Sequence, residues 1–129
     1  MTKRKIPKII SDVGFDFHWS EEKVWKLNVP VKEILLKELE WHFDIHFWSK
    51  KGGYYDIKPK DVIDKKDIYK DEFNRTMQSN LEYPLDIMFW KERWLLLDGL
   101  HRLLKAKILG LEKVKVRKIP KKSIPLISK

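Results

Sequence analysis

A chain of 129 residues, 43% hydrophobic and 36% charged, has the length of one domain and enough apolar mass for its own core. It holds no cysteine, which excludes disulfides, thiolate metal sites and cysteine catalysis. The net charge of +9 is uneven: residues 91–129 hold 12 Lys/Arg against 3 Asp/Glu, and residues 1–90 hold 16 of each sign.

A positive field confined to the last third favours anionic partners such as phosphates, nucleotides or nucleic acid, with a lysine-rich solvated surface as the alternative. Residues 1–20 read as a basic and aromatic lead-in without the apolar run of a secretory signal. No apolar stretch approaches the roughly 18 residues that span a bilayer. The expectation is a cytoplasmic protein with no membrane partner.

Val24 to Val31 alternates apolar and polar residues and predicts a strand, with Pro30 at its edge or end. Leu35, Leu36, Leu39 and Phe43 recur at helical spacing and predict a helix over 31–43. Ser49 to Tyr55 carries two glycines and needs loop geometry. Pro59 opens a short helix through Ile63, and Asp64 caps a second over 65–78 with Ile68, Phe73 and Met77 inward. Pro84 to Phe89 and Trp94 to Leu97 predict two strands joined across residues 90–93. A helix over Leu100 to Leu109 stops at Gly110, and Val114 to Ile119 forms a last strand closed by Pro120. The basic tail is expected to lie over the surface. No repeat or linker divides the chain, so the prediction is one α+β domain, a small mixed sheet packed by helices.

The most informative run is Trp94 to Pro120, in which a buried strand turns sharply at Asp98-Gly99 into a helix. Such a turn presents the free N–H groups of the helix's first turn, and a glycine there lets an anion approach the backbone. His101 and Arg102 add donors, Arg102 as a bidentate phosphate grip, and Asp98 can hold a divalent ion or orient a hydroxyl. A plainer reading makes Asp98 an N-cap, Gly99 a turn residue, His101 a core histidine and Arg102 half of a local ion pair.

The stretch from Tyr83 to Pro120 resembles the ParB/sulfiredoxin superfamily. That pattern runs Pro84-Leu85-Asp86-Ile87-Met88, Leu95-Leu96-Leu97, the D-G-x-H-R variant Asp98-Gly99-Leu100-His101-Arg102, a helix to Leu109, Gly110 and Val114-Lys115-Val116. The resemblance implies a ParB/sulfiredoxin-like fold and phosphate or nucleotide binding at Gly99, Leu100, His101 and Arg102. By analogy with the family's free serine kinases it implies catalysis at Asp98, with Mg²⁺ and ATP, ADP or CTP as cofactors, and a glutamate base from the N-terminal part. Glu38 fits that base, with Glu40 as its alternative. Sulfiredoxins place their reactive cysteine where Leu100 stands, which argues against sulfinic acid reduction. ParB partition proteins bind CTP and continue into a helix-turn-helix reader, for which the roughly ten residues after the last strand leave no room.

Other constellations carry less. Glu38, His42 and His46 fall at i, i+4 and i+8, a feasible metal set, though packing explains the histidines better. Trp41, Phe43, Phe47 and Trp48 read mainly as core. Tyr54 and Tyr55 sit in a loop that can close over a nucleotide, beside Lys50 and Lys51. Lys113, Lys115 and Arg117, with Lys118, form either the wet face of a strand or a nucleic-acid contact surface. Two functions follow as expectations: Mg-dependent phosphoryl transfer or nucleotide hydrolysis at Asp98–Arg102 with catalytic Asp98 and His101, or a nucleic-acid-binding module built on the basic third. A bare interaction domain is the third.

Overall fold

The run Leu85–Trp90 is apolar except at Asp86, which suits a strand covered on both faces. The computed structural model describes residues 18–45, 47–48 and 57–129, and it places this run inside a four-stranded sheet. The strands are β1 (Val31–Leu35), β2 (Leu85–Trp90), β3 (Arg93–Asp98) and β4 (Lys113–Lys118), in the order β1-β4-β2-β3. The outer pairs are antiparallel and β2 runs parallel to β4, so the sheet is mixed and the class α+β. Around it lie α1 (Glu21–Trp25), α2 (Pro59–Asp64), α3 (Lys70–Gln78), α4 (Leu100–Ile108) and α5 (Ile124–Ile127). Two 3-10 segments, Leu36–Asp44 and Lys121–Ser123, complete the described elements.

One face of the sheet packs Ile87 and Val116 against Leu39, Phe43, Leu103 and Leu104. The other packs Met88, Leu95 and Leu97 with Val24, Ile119 and Ile127. Each such side chain contributes roughly 1.5–3 kcal/mol on full burial. Two turns then fix the order. Between β2 and β3 Lys91 and Glu92 take positive φ, 50° and 68°, as a two-residue hairpin requires. After α4 Gly110 is left-handed at φ 76°, and the N–H groups of Gly110 and Leu111 bond to the Lys107 and Ala106 carbonyls, a Schellman stop.

Four local expectations are corrected. Residues expected as a strand from Val24 begin as α1, because Ser20 caps the Lys23 N–H and Glu21 and Glu22 stand in the first turn. The helix expected from Val31 is instead β1 followed by a 3-10 segment, since Val31–Leu35 finds a partner in β4. The helix expected from Lys65 starts at Lys70; Ile68 is exposed, Phe73 and Met77 are half-buried, and Thr76 takes the buried position. The tail is packed rather than draped, with Ile127 fully buried and its carbonyl accepting from the Ser20 N–H at 2.7 Å.

The two sheet edges are treated differently. On β3, Trp19 Nε1–H donates to the Leu97 carbonyl at 3.0 Å and Trp41 Nε1–H to that of Trp94 at 3.2 Å. The Leu96 N–H donates to His42 Nε2 at 3.0 Å. Edge β1 carries Lys32 and Glu33, so two-fold pairing of β1 with a copy centred on either residue sets like charges opposite each other. Among the described residues, no helix is long and apolar enough to cross a membrane.

His42 is therefore a structural part of this edge. It is fully buried, its Nδ1–H donates to the Leu39 carbonyl at 2.8 Å, and Nε2 is the acceptor for Leu96. Burial lowers its pKa to about 4, partly offset by the Leu39 bond and reinforced by Arg93. Both His42 nitrogens are taken by backbone, which leaves neither for the metal set weighed from Glu38, His42 and His46; His46 itself lies outside the described residues. Because the folded pKa lies below the unfolded value of about 6.5, the neutral ring's stabilisation is full above that value and is lost as pH falls toward 4. Urea melts from pH 7 to 4 should show this loss, up to roughly 3 kcal/mol, and His42→Gln should remove that component of the slope.

Candidate functional site

The turn that ends β3 is shaped by a register shift. Asp86 pairs with Asp98 and Ile87 with Leu96, so Leu97 is the extra residue of a bulge. The shift sets two aspartates side by side at the end of the sheet. Gly99 follows at φ 113°, and an added Cβ would lie 2.5 Å from Leu85 Cδ2 and 3.0 Å from Arg102 Nη2. Only glycine fits there without displacing Leu85 or the guanidinium.

Gly99, not Asp98, is the N-cap of α4, so no side chain caps that helix. The Leu103 N–H bonds to the Gly99 carbonyl at 2.8 Å and closes the first turn. Asp98 is turned into a cleft instead. Its Oδ2 accepts from Trp25 Nε1–H at 2.7 Å and from Arg102 Nη2 at 3.0 Å, and Oδ1 has no partner among the described residues. Arg102 Nη1 also donates to the Pro84 carbonyl at 3.0 Å. The plainer reading of Arg102 as half of a local ion pair is thus correct in its geometry, yet the pair faces open volume.

Beside it lies a second, deeper pair. Arg117 Nε donates to Asp86 Oδ1 at 2.7 Å, and its Nη1 and Nη2 reach the carbonyls of Leu27 and Val24, each at 2.7 Å. Burial pushes the Asp86 carboxyl above the ordinary aspartate value against the pull of Arg117; Asp98 adds to the rise and Arg102 opposes it. The two pairs, with Trp25, Tyr83 and Pro84, line a cleft of about 680 Å³. Both aromatic rings are more than half exposed at its lip. Two aspartates and two arginines make its described lining formally neutral.

On the other side of the turn a smaller cavity of about 260 Å³ is lined by Asp98, Gly99, Leu100 and His101 with Glu21, His42 and Phe47 among others. His101 is held by two neighbours. Its Nε2 lies 2.8 Å from Glu72 Oε2 on α3, and its ring stacks on Trp48 at 4.5 Å and 15°. It is therefore not a core histidine.

Those of the remaining expected residues that are described are not gathered here. Glu38 is exposed on the 3-10 segment and lines neither cavity; the second carboxylate of the cleft is Asp86. Glu40 is paired to Lys107 at 2.8 Å. Tyr54 and Tyr55 lie outside the described residues, as do Lys50 and Lys51. The expected basic row is broken up: Lys113 and Lys115 are exposed, and Arg117 is turned inward to Asp86. Lys118 lies over the Trp94 ring at 5.1 Å.

Asp86, Trp25 and Glu72 are site residues to which pattern reading gave no role, and Arg117 and Trp48 were read in other roles, as a basic strand face and as core. Asp86 alone had a local signal, as the one charge in an apolar central strand. The chain matches no family model, no curated protein and no solved structure. The ParB/sulfiredoxin resemblance accordingly rests on Asp98–Arg102 and the elements around them.

Two substitutions probe this geometry. Asp86→Ala leaves Arg117 buried without its carboxylate and should cost about 3 kcal/mol in chemical denaturation. Gly99→Ala forces a left-handed alanine against Leu85 and should cost about 1–3 kcal/mol, where alanine at an ordinary loop glycine would be near neutral.

Proposed function

We propose that the cleft binds a nucleotide, or another phosphorylated ligand, as its Mg²⁺ complex and supports phosphoryl transfer or nucleotide hydrolysis. The observation that carries this reading is the Asp98–Arg102 pair standing in an open cleft beside a glycine-capped helix start. A guanidinium and a carboxylate already paired favour a ligand that brings both signs. In such a complex Asp98 would hold the cation, and Arg102 would be free for phosphate oxygens.

The donor set fits that use. Mg²⁺ commonly binds one or two carboxylates and completes its shell with phosphate oxygens and water, and Asp98 has one oxygen with no partner among the described residues. The ion would neutralise charge on the transferring group; Arg102 and the backbone N–H groups would hold it in place. The exposed rings of Trp25 and Tyr83 offer a surface on which a base can stack. Sulfinic acid reduction has no support, because the chain has no cysteine.

A nucleic-acid-binding module is the second reading, supported by exposed Lys113, Lys115, Lys121 and Lys122 and weakened by the inward turn of Arg117. Calorimetric titration with ATP, ADP and CTP, with and without Mg²⁺, separates the two. Saturable binding strengthened by Mg²⁺ is expected, weakened at least about tenfold by Arg102→Ala in protein that still melts cooperatively. Asp98→Asn should abolish the Mg²⁺ dependence. If no nucleotide binds under any of these conditions, the nucleotide reading is wrong and the exposed lysines become the better lead.

A further inference from the structure

The two histidines beside the turn are wired in opposite senses. His42 spends both ring nitrogens on the backbone, Nδ1–H on the Leu39 carbonyl and Nε2 on the Leu96 N–H. His101 spends only one. Its Nε2 meets Glu72 Oε2 at 2.8 Å, and a carboxylate can only accept, so Nε2 carries a proton and, in the neutral ring, Nδ1 keeps its lone pair. Among the described residues Nδ1 has no partner.

Three further facts bear on what that lone pair can do. The ring is fixed in plane by Trp48 and held at its far nitrogen by Glu72, whose side chain is only 13% exposed. His101 is about one-third exposed and lines the smaller cavity, so a reagent can reach it. Asp98 lines both cavities and links the ring's surroundings to the cleft proposed for phosphate. An imidazole with one nitrogen held by a carboxylate and the other open is oriented as a nucleophile.

We propose that His101 is a phosphoryl acceptor, phosphorylated on Nδ1, with Glu72 as its positioning residue. This rests on the phosphoryl-transfer reading above. In the step the Nδ1 lone pair attacks the terminal phosphorus and an N–P bond forms. The bridging P–O bond breaks, and its electron pair leaves on the nucleoside diphosphate. No proton leaves the ring, because Nε2 keeps its own and donates it to Glu72 as a hydrogen bond throughout. An acceptor hydroxyl or water then takes the phosphoryl group, gives up its proton and restores the free imidazole.

The test uses two phosphodonors on the intact chain. Phosphoramidate phosphorylates reactive histidines without any nucleotide site, and Mg²⁺ with ATP or CTP requires one. Tandem mass spectrometry should place one acid-labile, alkali-stable phosphoryl group on His101, and not on exposed His18. The label should vanish in His101→Asn and form about tenfold more slowly in Glu72→Gln, which keeps the size and an acceptor oxygen. A label from phosphoramidate alone supports the acceptor role and counts against nucleotide as donor. His101 unmodified by both donors overturns the inference, even if calorimetry finds nucleotide binding. Equal labelling of wild type and Glu72→Gln overturns the part assigned to Glu72.

Discussion

The Asp86–Arg117 ion pair fastens the end of α1 to two strands that already pair in the sheet. Its carboxylate is on the central strand and its guanidinium on β4, and the guanidinium's remaining donors hold the Val24 and Leu27 carbonyls at the end of α1. A helix of five residues has little stability of its own. Arg117 anchors it where Trp25 can reach Asp98. Two desolvated charges are costly unless every donor and lone pair is served, and here three guanidinium nitrogens are.

The same economy of polar groups explains the far side of the turn. Edge strand β3 leaves carbonyls and N–H groups that would otherwise be bare, and two indoles and one imidazole meet them. His42 is used up in this way and kept neutral by burial. His101, in the first turn of α4, meets a glutamate from α3 in place of backbone, and its chemistry differs accordingly. Two residues of one type, both bordering the smaller cavity, are separated by what their second nitrogen touches.

Neighbouring charges at the cleft also modulate one another. Asp86 and Asp98 are register partners, so the Asp86 carboxyl feels the charge of Asp98, and each aspartate has an arginine beside it. This arrangement keeps the described lining neutral while leaving single charges within reach of a ligand. A ligand that exchanges partners with the Asp98–Arg102 pair costs less than one that must bury a new, uncompensated charge.

Much of the fold was legible because its signals are local. The β2–β3 hairpin, the Asp-Gly turn, α4 and its Gly110 stop follow from strand patterning, turn chemistry and helix punctuation within about thirty residues, a reach at which such rules hold. The amino-terminal half was harder: Val31–Leu35 carries helical spacing and becomes a strand only because β4, some eighty residues on, offers it a partner. By itself the sequence determined an α+β chain, the place of the turn at Asp98–Arg102, and the absence of thiol chemistry. Only the tertiary structure decided which side chains share that turn. Asp86, Arg117, Trp25, Glu72 and Trp48 come from four strands and helices and one loop position, and no spacing along the chain encodes a meeting made by packing and by the pairing of buried charge.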